Sequence, residues 1–235
     1  MFKGVIFDLD GTLLDTLQDL AESMNAVLCK MGFPTHETEK YKYFVGDGTE
    51  MLVKRALPQQ YINTRVKAKC VAMMKEEYSN RMTYKTKPYD GIAELLDELT
   101  KRRIKMAILS NKPDKLTRLV VRSLLPDWEF APVLGQRDGI PKKPHPCGAF
   151  EIAKKIGIKP ENFLFVGDTN VDMRTSNAAG MCAVGVLWGF RDEAELMESG
   201  ARAIIKKPVD LLRLLEYENM FCQKSYSNNC IPSFS

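Results

Sequence analysis

Two carboxylates stand two residues apart in Asp8-Leu9-Asp10-Gly11-Thr12, directly after the apolar run Gly4-Val5-Ile6-Phe7. Such a run has the length and pattern of a strand, and acids at i and i+2 in the turn that follows aim at one site. The pair has two chemical uses. It can bind a hard cation through oxygen, or, where the surroundings separate two pKa values, supply one nucleophile and one acid. Gly11 lets backbone amides approach an anion, and Thr12 adds a hydroxyl donor. Asp and Gly are also common in ordinary polar turns, so this segment alone leaves the readings open. Three further segments narrow them. Ser110-Asn111-Lys112 follows the apolar run 106–109 and offers a hydroxyl, an amide and a base. Lys142-Lys143-Pro144-His145-Pro146 sets a lysine before a stiff Pro-x-Pro loop. Gly167-Asp168-Thr169-Asn170-Val171-Asp172 follows the run 163–166 with two more carboxylates. Singly, each is an ordinary cap or loop; together they bring acids, a hydroxyl and a lysine to one edge of a sheet in a consistent order.

The elements that must hold these groups are legible in the periodicity. Strand candidates are 4–7, 106–109, 163–166, 182–186 and 203–205, with a weaker one near 131–134. Continuous apolar runs of this kind fit parallel strands covered on both faces. Between them, Ile92, Leu95, Leu96 and Leu99 form one helical face, Ala149, Ile152, Ala153 and Ile156 another, and Leu116, Leu119, Val120 and Leu124 a third. Gly157 stands where a helix end favours a left-handed residue. The alternation predicts an α/β fold with a doubly wound, mainly parallel sheet. From Thr16 to Tyr84 the pattern is helical only, with Leu17, Leu20, Ala21 and Met24 at its start. We read it as an inserted helical domain whose linkers emerge beside the carboxyl end of the first strand, where a mobile insert would act as a lid. The expected division is 1–15 with 85–217 as the α/β core domain, 16–84 as the helical insert, and 218–235 as a Ser/Asn-rich tail outside the fold.

Composition sets the outer limits. A chain of 235 residues with 45% hydrophobic and 27% charged residues is globular. The net charge of +4 comes without any long Lys/Arg run, so no nucleic-acid stripe is expected. No apolar stretch approaches the ~18–20 residues that span a bilayer, and the N-terminus lacks a signal-peptide pattern; no membrane partner and a cytoplasmic location are expected. Six scattered cysteines without a CxxC, and only two histidines, His36 and His145, argue against a zinc site of the usual kind.

DLDGT, SNK, KPHP and GDTNVD, in that order, resemble the four-motif signature of the haloacid dehalogenase-like hydrolase superfamily, over residues 2 to about 215. The insert after the first motif resembles the superfamily's small α-helical cap on a Rossmann-like core. Within the superfamily, Phe44-Val45-Gly46-Asp47-Gly48 and Gly185-Val186-Leu187-Trp188-Gly189-Phe190 resemble phosphoglycolate phosphatases. The resemblance implies a Mg2+-dependent phosphomonoester hydrolase acting through an aspartyl-phosphate. Asp8 would be the nucleophile. Asp10 would be the general acid and then the base. Asp8, Asp168, the backbone carbonyl of Asp10 and, directly or through water, Asp172 would hold the metal. Thr12, Ser110, Asn111 and Lys143 would meet the phosphoryl group, and Lys143 rather than Lys142 because it directly precedes Pro144. His145 is read as a loop residue.

The partner expected is a small phosphomonoester, 2-phosphoglycolate first, with the protein a monomer or homodimer. Pyrophosphate hydrolysis, nucleotide dephosphorylation and broad sugar-phosphate activity are the nearest alternatives, and a non-catalytic phosphate-binding protein the alternative of another class. Retention of Asp10 resembles the phosphomonoesterases. Leu20 stands where the related mutases carry a cap-linker histidine, counting from Asp15, which weighs against mutase activity. Lys54 and Arg55 are candidates for a substrate carboxylate, although a solvated helix face explains them as well.

Overall fold

The computed structural model describes residues 1–63 and 65–216; the segment 218–235, expected outside the fold, lies outside the described residues. Six strands form the main sheet: β1 (Gly4–Phe7), β4 (Lys105–Pro113), β5 (Val133–Gln136), β6 (Phe163–Gly167), β7 (Cys182–Val186) and β8 (Ala203–Ile205). Their order is β5-β4-β1-β6-β7-β8 and every neighbouring pair is parallel. The chain moves outward from β1 through β4 and β5, then returns to build β6, β7 and β8 on the other side. The strand order therefore reverses at β1 and β6, and a crevice opens beyond their carboxyl ends.

Each of β1, β6 and β7 is buried along its whole length, which is why these strands read as unbroken apolar runs. The pleat divides the core between two faces. Val5 and Phe7 pack with α4 (Ile92–Lys101) and α5 (Asp114–Leu124), whereas Ile6, Leu109 and Phe165 pack with Ala149 and Ile152 of α6 (Cys147–Ile156). The helix α4 buries Ile92, Leu95, Leu96 and Leu99 as its spacing predicts, and Gly157 ends α6 at φ 74°. In α5 the inward stripe is turned from the expected one. Thr117, Val120 and Val121 are buried and Leu119 is 42% exposed.

From residue 16 to 86 the described residues form helices and turns without a strand. They include α1 (Leu17–Lys30), a short 3-10 helix (Thr38–Tyr43), α2 (Thr49–Ala56) and α3 (Arg65–Arg81). Both α1 and α2 pack on α3, around buried Met24, Leu28, Tyr41, Leu52 and Met74. The two short strands that flank this segment pair with each other: β2 (Leu14–Asp15) runs antiparallel to β3 (Lys87–Pro88). Asp19 reinforces the junction from α1. Fully buried, its carboxylate accepts from the Thr86 hydroxyl at 2.7 Å and from the Lys85 and Thr86 amides at 3.0 and 2.9 Å. Removing one acceptor from a buried set leaves several donors unpaired, so Asp19→Ala should lower stability by about 1–3 kcal/mol. The check is a urea midpoint that falls at unchanged m; a midpoint equal to wild type would remove Asp19 from the junction.

Candidate active site

Parallel pairing decides which side chains meet. Phe7 of β1 stands opposite Ile108 of β4 and Val166 of β6. Asp8 follows Phe7 by one residue, and Ser110 and Asp168 follow Ile108 and Val166 by two, so all three leave the same edge of three adjacent strands that lie ~4.8 Å apart. The segment 110–112 belongs to β4 itself, which extends past the expected 106–109. Its pairing with β5 slips here: Leu109 faces Leu134 and Pro113 faces Gln136, so four steps on β4 span two on β5. Successive strand residues normally point to opposite faces, but the irregularity lets Ser110, Asn111 and Lys112 all border one cavity.

Asp8 is 6% exposed. Its Oδ1 accepts from the Leu9 amide at 2.7 Å and from Lys143 Nζ at 2.9 Å. Lys143 also donates to Asp172 Oδ1 at 2.6 Å. Asp168 is tied from both sides, by the Thr12 hydroxyl at 2.9 Å and the Phe190 amide at 3.0 Å. Gly11, at φ 85°, leaves room for that carboxylate: a Cβ there would overlap it. Asp10 pairs with Lys112 Nζ at 2.5 Å, and Lys112 also donates to Tyr78 of α3 at 2.8 Å.

One carboxylate oxygen from each of Asp8, Asp168 and Asp172 lies within 4.8 Å of the others, and all three residues are buried. Burial is the main reason the Asp8 carboxyl is pushed up to about 7; Lys143 opposes the rise and Asp172 adds to it. Burial, then the charges of Asp172 and Asp8, raise Asp168 well above the ordinary range. Lys143 is held above its usual value because Asp172 and Asp8 outweigh its own burial. Here three buried acids stand together, two of them paired with one lysine, and the donor set is all oxygen. That combination fits a divalent hard cation.

Two residues with expected site roles also hold neighbouring groups. Thr12, expected at the phosphoryl group, spends its hydroxyl on Asp168. Asp172, expected at a metal, has both oxygens engaged: Oδ1 with Lys143, and Oδ2 with the amide and hydroxyl of Thr169 at 3.1 and 2.7 Å. The latter bonds are a capping box that starts α7 (Asn170–Ala178). The Asn111 side chain is occupied too, bridging the backbone of Lys143 and the carbonyl of Gly46. His145 accepts from the Cys147 amide at the start of α6, as a loop residue would.

The helical segment lies over this edge. Its residues 42–47 offer carbonyls, and three side chains from the sheet side take them. Arg191 donates to Lys42 and Val45, Asn111 to Gly46, and Lys142 to Asp47. Beneath is a cavity with an internal volume of about 60 Å3, lined by Asp8, Asp10, Ser110 and Lys112 below and by Leu20, Leu52, Met74 and Tyr78 above. Arg55 is not among its lining residues: it pairs with Asp47 at 2.5 Å and with the Phe44 carbonyl. Lys54 is exposed on α2. The basic residues that do line the cavity are Lys75 and Lys112. Neither Lys112 nor Tyr78 was given a site role by motif reading, although the SNK run carried the lysine.

Fold and site together define an α/β protein with a buried acid cluster at the carboxyl edge of its parallel sheet and a helical segment over that edge. A family model described as haloacid dehalogenase-like hydrolase matches residues 5–186, and the chain belongs to that family. A relative from Mannheimia succiniciproducens, named phosphoglycolate phosphatase, is 30% identical over 220 residues, covering 91% of this chain and 98% of its own. One of the same name from Photorhabdus laumondii is 29% identical over 231 residues, covering 95% and 96%. Among solved structures, one described as a predicted phosphoglycolate phosphatase from Haemophilus somnus superposes with a TM-score of 0.84 at 27% identity, over 91% of this chain and 98% of that one.

The raised Asp8 value sets a sign for pH. A carboxyl whose folded-state value exceeds its ordinary 3.8 is tolerated when protonated, and its burial destabilises the protein as pH rises through about 7. A divalent cation relieves that cost only where the carboxylates are ionised. The rise in melting temperature on adding one should therefore be larger at pH 8 than at pH 5, as scanning fluorimetry would measure. An equal rise at both would place the cation elsewhere.

Proposed function

We propose that the protein is a Mg2+-dependent phosphomonoester hydrolase whose substrate is 2-phosphoglycolate, cleaved to glycolate and phosphate. The observation that carries the hydrolase reading is the buried Lys143 ammonium, 2.9 Å from Asp8 and 2.6 Å from Asp172. It keeps a nucleophilic carboxylate in place and faces the same point as the incoming phosphoryl group. The relatives' name supports the substrate. The residues 16–84 form the cap domain of this reading, and 1–15 with the chain from 85 to 217 the core.

In the first step Asp8 attacks phosphorus, the bond from phosphorus to the ester oxygen breaks, and Asp10 gives that oxygen its proton. In the second step Asp10 takes a proton from water, which attacks the phosphorus of the aspartyl-phosphate and releases phosphate and free Asp8. Ser110 and the backbone amide of Asn111 bind phosphoryl oxygens, and Lys143 offsets the charge that gathers there. Asp8, Asp168 and the Asp10 carbonyl would hold Mg2+, with Asp172 assisting through the cluster. When bound, the ion screens the repulsion between Asp8 and the phosphoryl oxygens.

Thr12 acts one step away, by orienting Asp168. The cap covers the site during the attack by Asp8 and limits size. The cavity is lined by Leu20, Leu52, Met74 and Tyr78 on the cap side and is small, about 60 Å3, which favours a small ester. The exposed thiol of Cys29 fits a reducing, cytoplasmic setting.

Phosphate release from a panel holding 2-phosphoglycolate, pyrophosphate, a nucleotide monophosphate and hexose phosphates, with Mg2+ or chelator, tests this. The expected result is Mg2+-dependent release with the highest kcat/KM on 2-phosphoglycolate, and loss of at least about a thousandfold in Asp8→Asn at unchanged fold. A flat panel would remove the substrate, and release by Asp8→Asn near the wild-type rate would remove the nucleophile.

A further inference from the structure

We propose that Lys112 is a specificity-determining residue of this site: its ammonium receives the carboxylate carried by the leaving group. The inference rests on the reading above, in which Asp10 protonates the ester oxygen and the substrate is 2-phosphoglycolate.

Lys112 is a buried cation, with a side chain 4% exposed, in the wall of the cavity that Asp8 enters. A lysine ammonium has three N–H donors. Two are taken, by Asp10 at 2.5 Å and by the Tyr78 hydroxyl at 2.8 Å. These partners come from opposite sides, one from the turn after β1 and the other from the helical cap, so they fix the ammonium between floor and lid. The third N–H is left for what enters the cavity.

Position then selects the ligand. Asp10 faces the ester oxygen, and in 2-phosphoglycolate the carboxylate carbon is two bonds from that oxygen. A group so close to the oxygen beside Asp10 also lies beside Lys112, which touches Asp10 directly. Of the neighbouring cavity wall, Leu20, Leu52 and Met74 are apolar, and Thr49 at the start of α2 offers a hydroxyl and an amide but no charge. Lys75 also lines the cavity but is exposed, so water screens its charge. A carboxylate deprived of water needs a charged, hydrogen-bonding partner, and Lys112 is the buried one. Lys143, the other buried lysine of the site, is engaged with Asp8 and Asp172.

The test compares 2-phosphoglycolate with ethyl phosphate, which has a methyl group in place of the carboxylate. The readout is the ratio of their kcat/KM values. In wild type the ratio should favour 2-phosphoglycolate by about a hundredfold, the range expected for a buried charge partner. In Lys112→Gln the ratio should fall towards one, chiefly through KM for 2-phosphoglycolate, and Lys112→Arg should restore part of it.

A residue that only orders Asp10 would slow both esters alike and leave the ratio at its wild-type value; that outcome overturns the assignment while sparing the substrate. A wild-type ratio near one removes the substrate reading and the assignment with it. A wild-type preference for pyrophosphate over both esters overturns the carboxylate as ligand. Should Lys112→Gln fail to fold, Tyr78→Phe provides a second arm. Losing the hydroxyl that holds the ammonium should raise KM several-fold for 2-phosphoglycolate and leave ethyl phosphate little changed, and equal changes on both would again overturn the assignment.

Discussion

Asp8, Asp168 and Asp172 are buried within hydrogen-bonding range of a common point, and like charges so placed repel strongly. Moving one carboxylate out of water costs several kcal/mol even after the protein relaxes, of order ~5, and each further acid adds repulsion that low polarity magnifies. Much of the local architecture offsets this cost. Lys143 stands between Asp8 and Asp172. Thr12 and the Phe190 amide hold Asp168, and the capping box of α7 gives Asp172 a helix N-terminus. The remaining excess of negative charge is what a divalent cation would neutralise. Stability and chemistry thus have one origin, since the acids that cost the fold most are those that the proposed phosphoryl transfer uses.

The helical segment is fastened to the sheet in a manner that asks little of its own side chains. Arg191, Asn111 and Lys142 donate to backbone carbonyls at 42, 45, 46 and 47, and every residue type supplies a carbonyl. The side chains that the segment turns towards the cavity are therefore free to set size and polarity without loosening the attachment. Tyr78 works the other way: its hydroxyl reaches down to Lys112 and so brings a group of the lid into the polar network of the floor.

Much of this was legible in the residues. Strands buried on both faces announce themselves as unbroken apolar runs, so β1, β6 and β7 could be bounded closely. The four motifs follow from parallel pairing, which brings the carboxyl ends of β1, β4 and β6 together. Lys143 was separable from Lys142 by its place before Pro144, and the structure has Lys143 at Asp8 while Lys142 reaches Asp47. Other features left no periodic trace. The pairing of β2 with β3 involves two residues on each strand, too few for a pattern. In α5, Leu116, Leu119 and Leu124 suggest a stripe, yet tertiary packing prefers the one through Thr117 and Val121. A hydroxyl after Asp-x-Asp-Gly could serve an anion or a neighbouring acid, and nothing local in the sequence signals the 2.9 Å bond that Thr12 makes to Asp168. The link between Tyr78 and Lys112 joins residues of two separate elements, and no local spacing encodes it.

The central claim is that Asp8 becomes covalently phosphorylated. Rapid acid quench of the enzyme mixed with radiolabelled 2-phosphoglycolate and Mg2+, followed by peptide mass spectrometry, tests it most directly. The expected result is label bound to the protein within one turnover, released by hydroxylamine, mapped to Asp8, and absent in Asp8→Asn. Turnover at the normal rate with no phosphoenzyme at any quench time, or label on another residue, would contradict it.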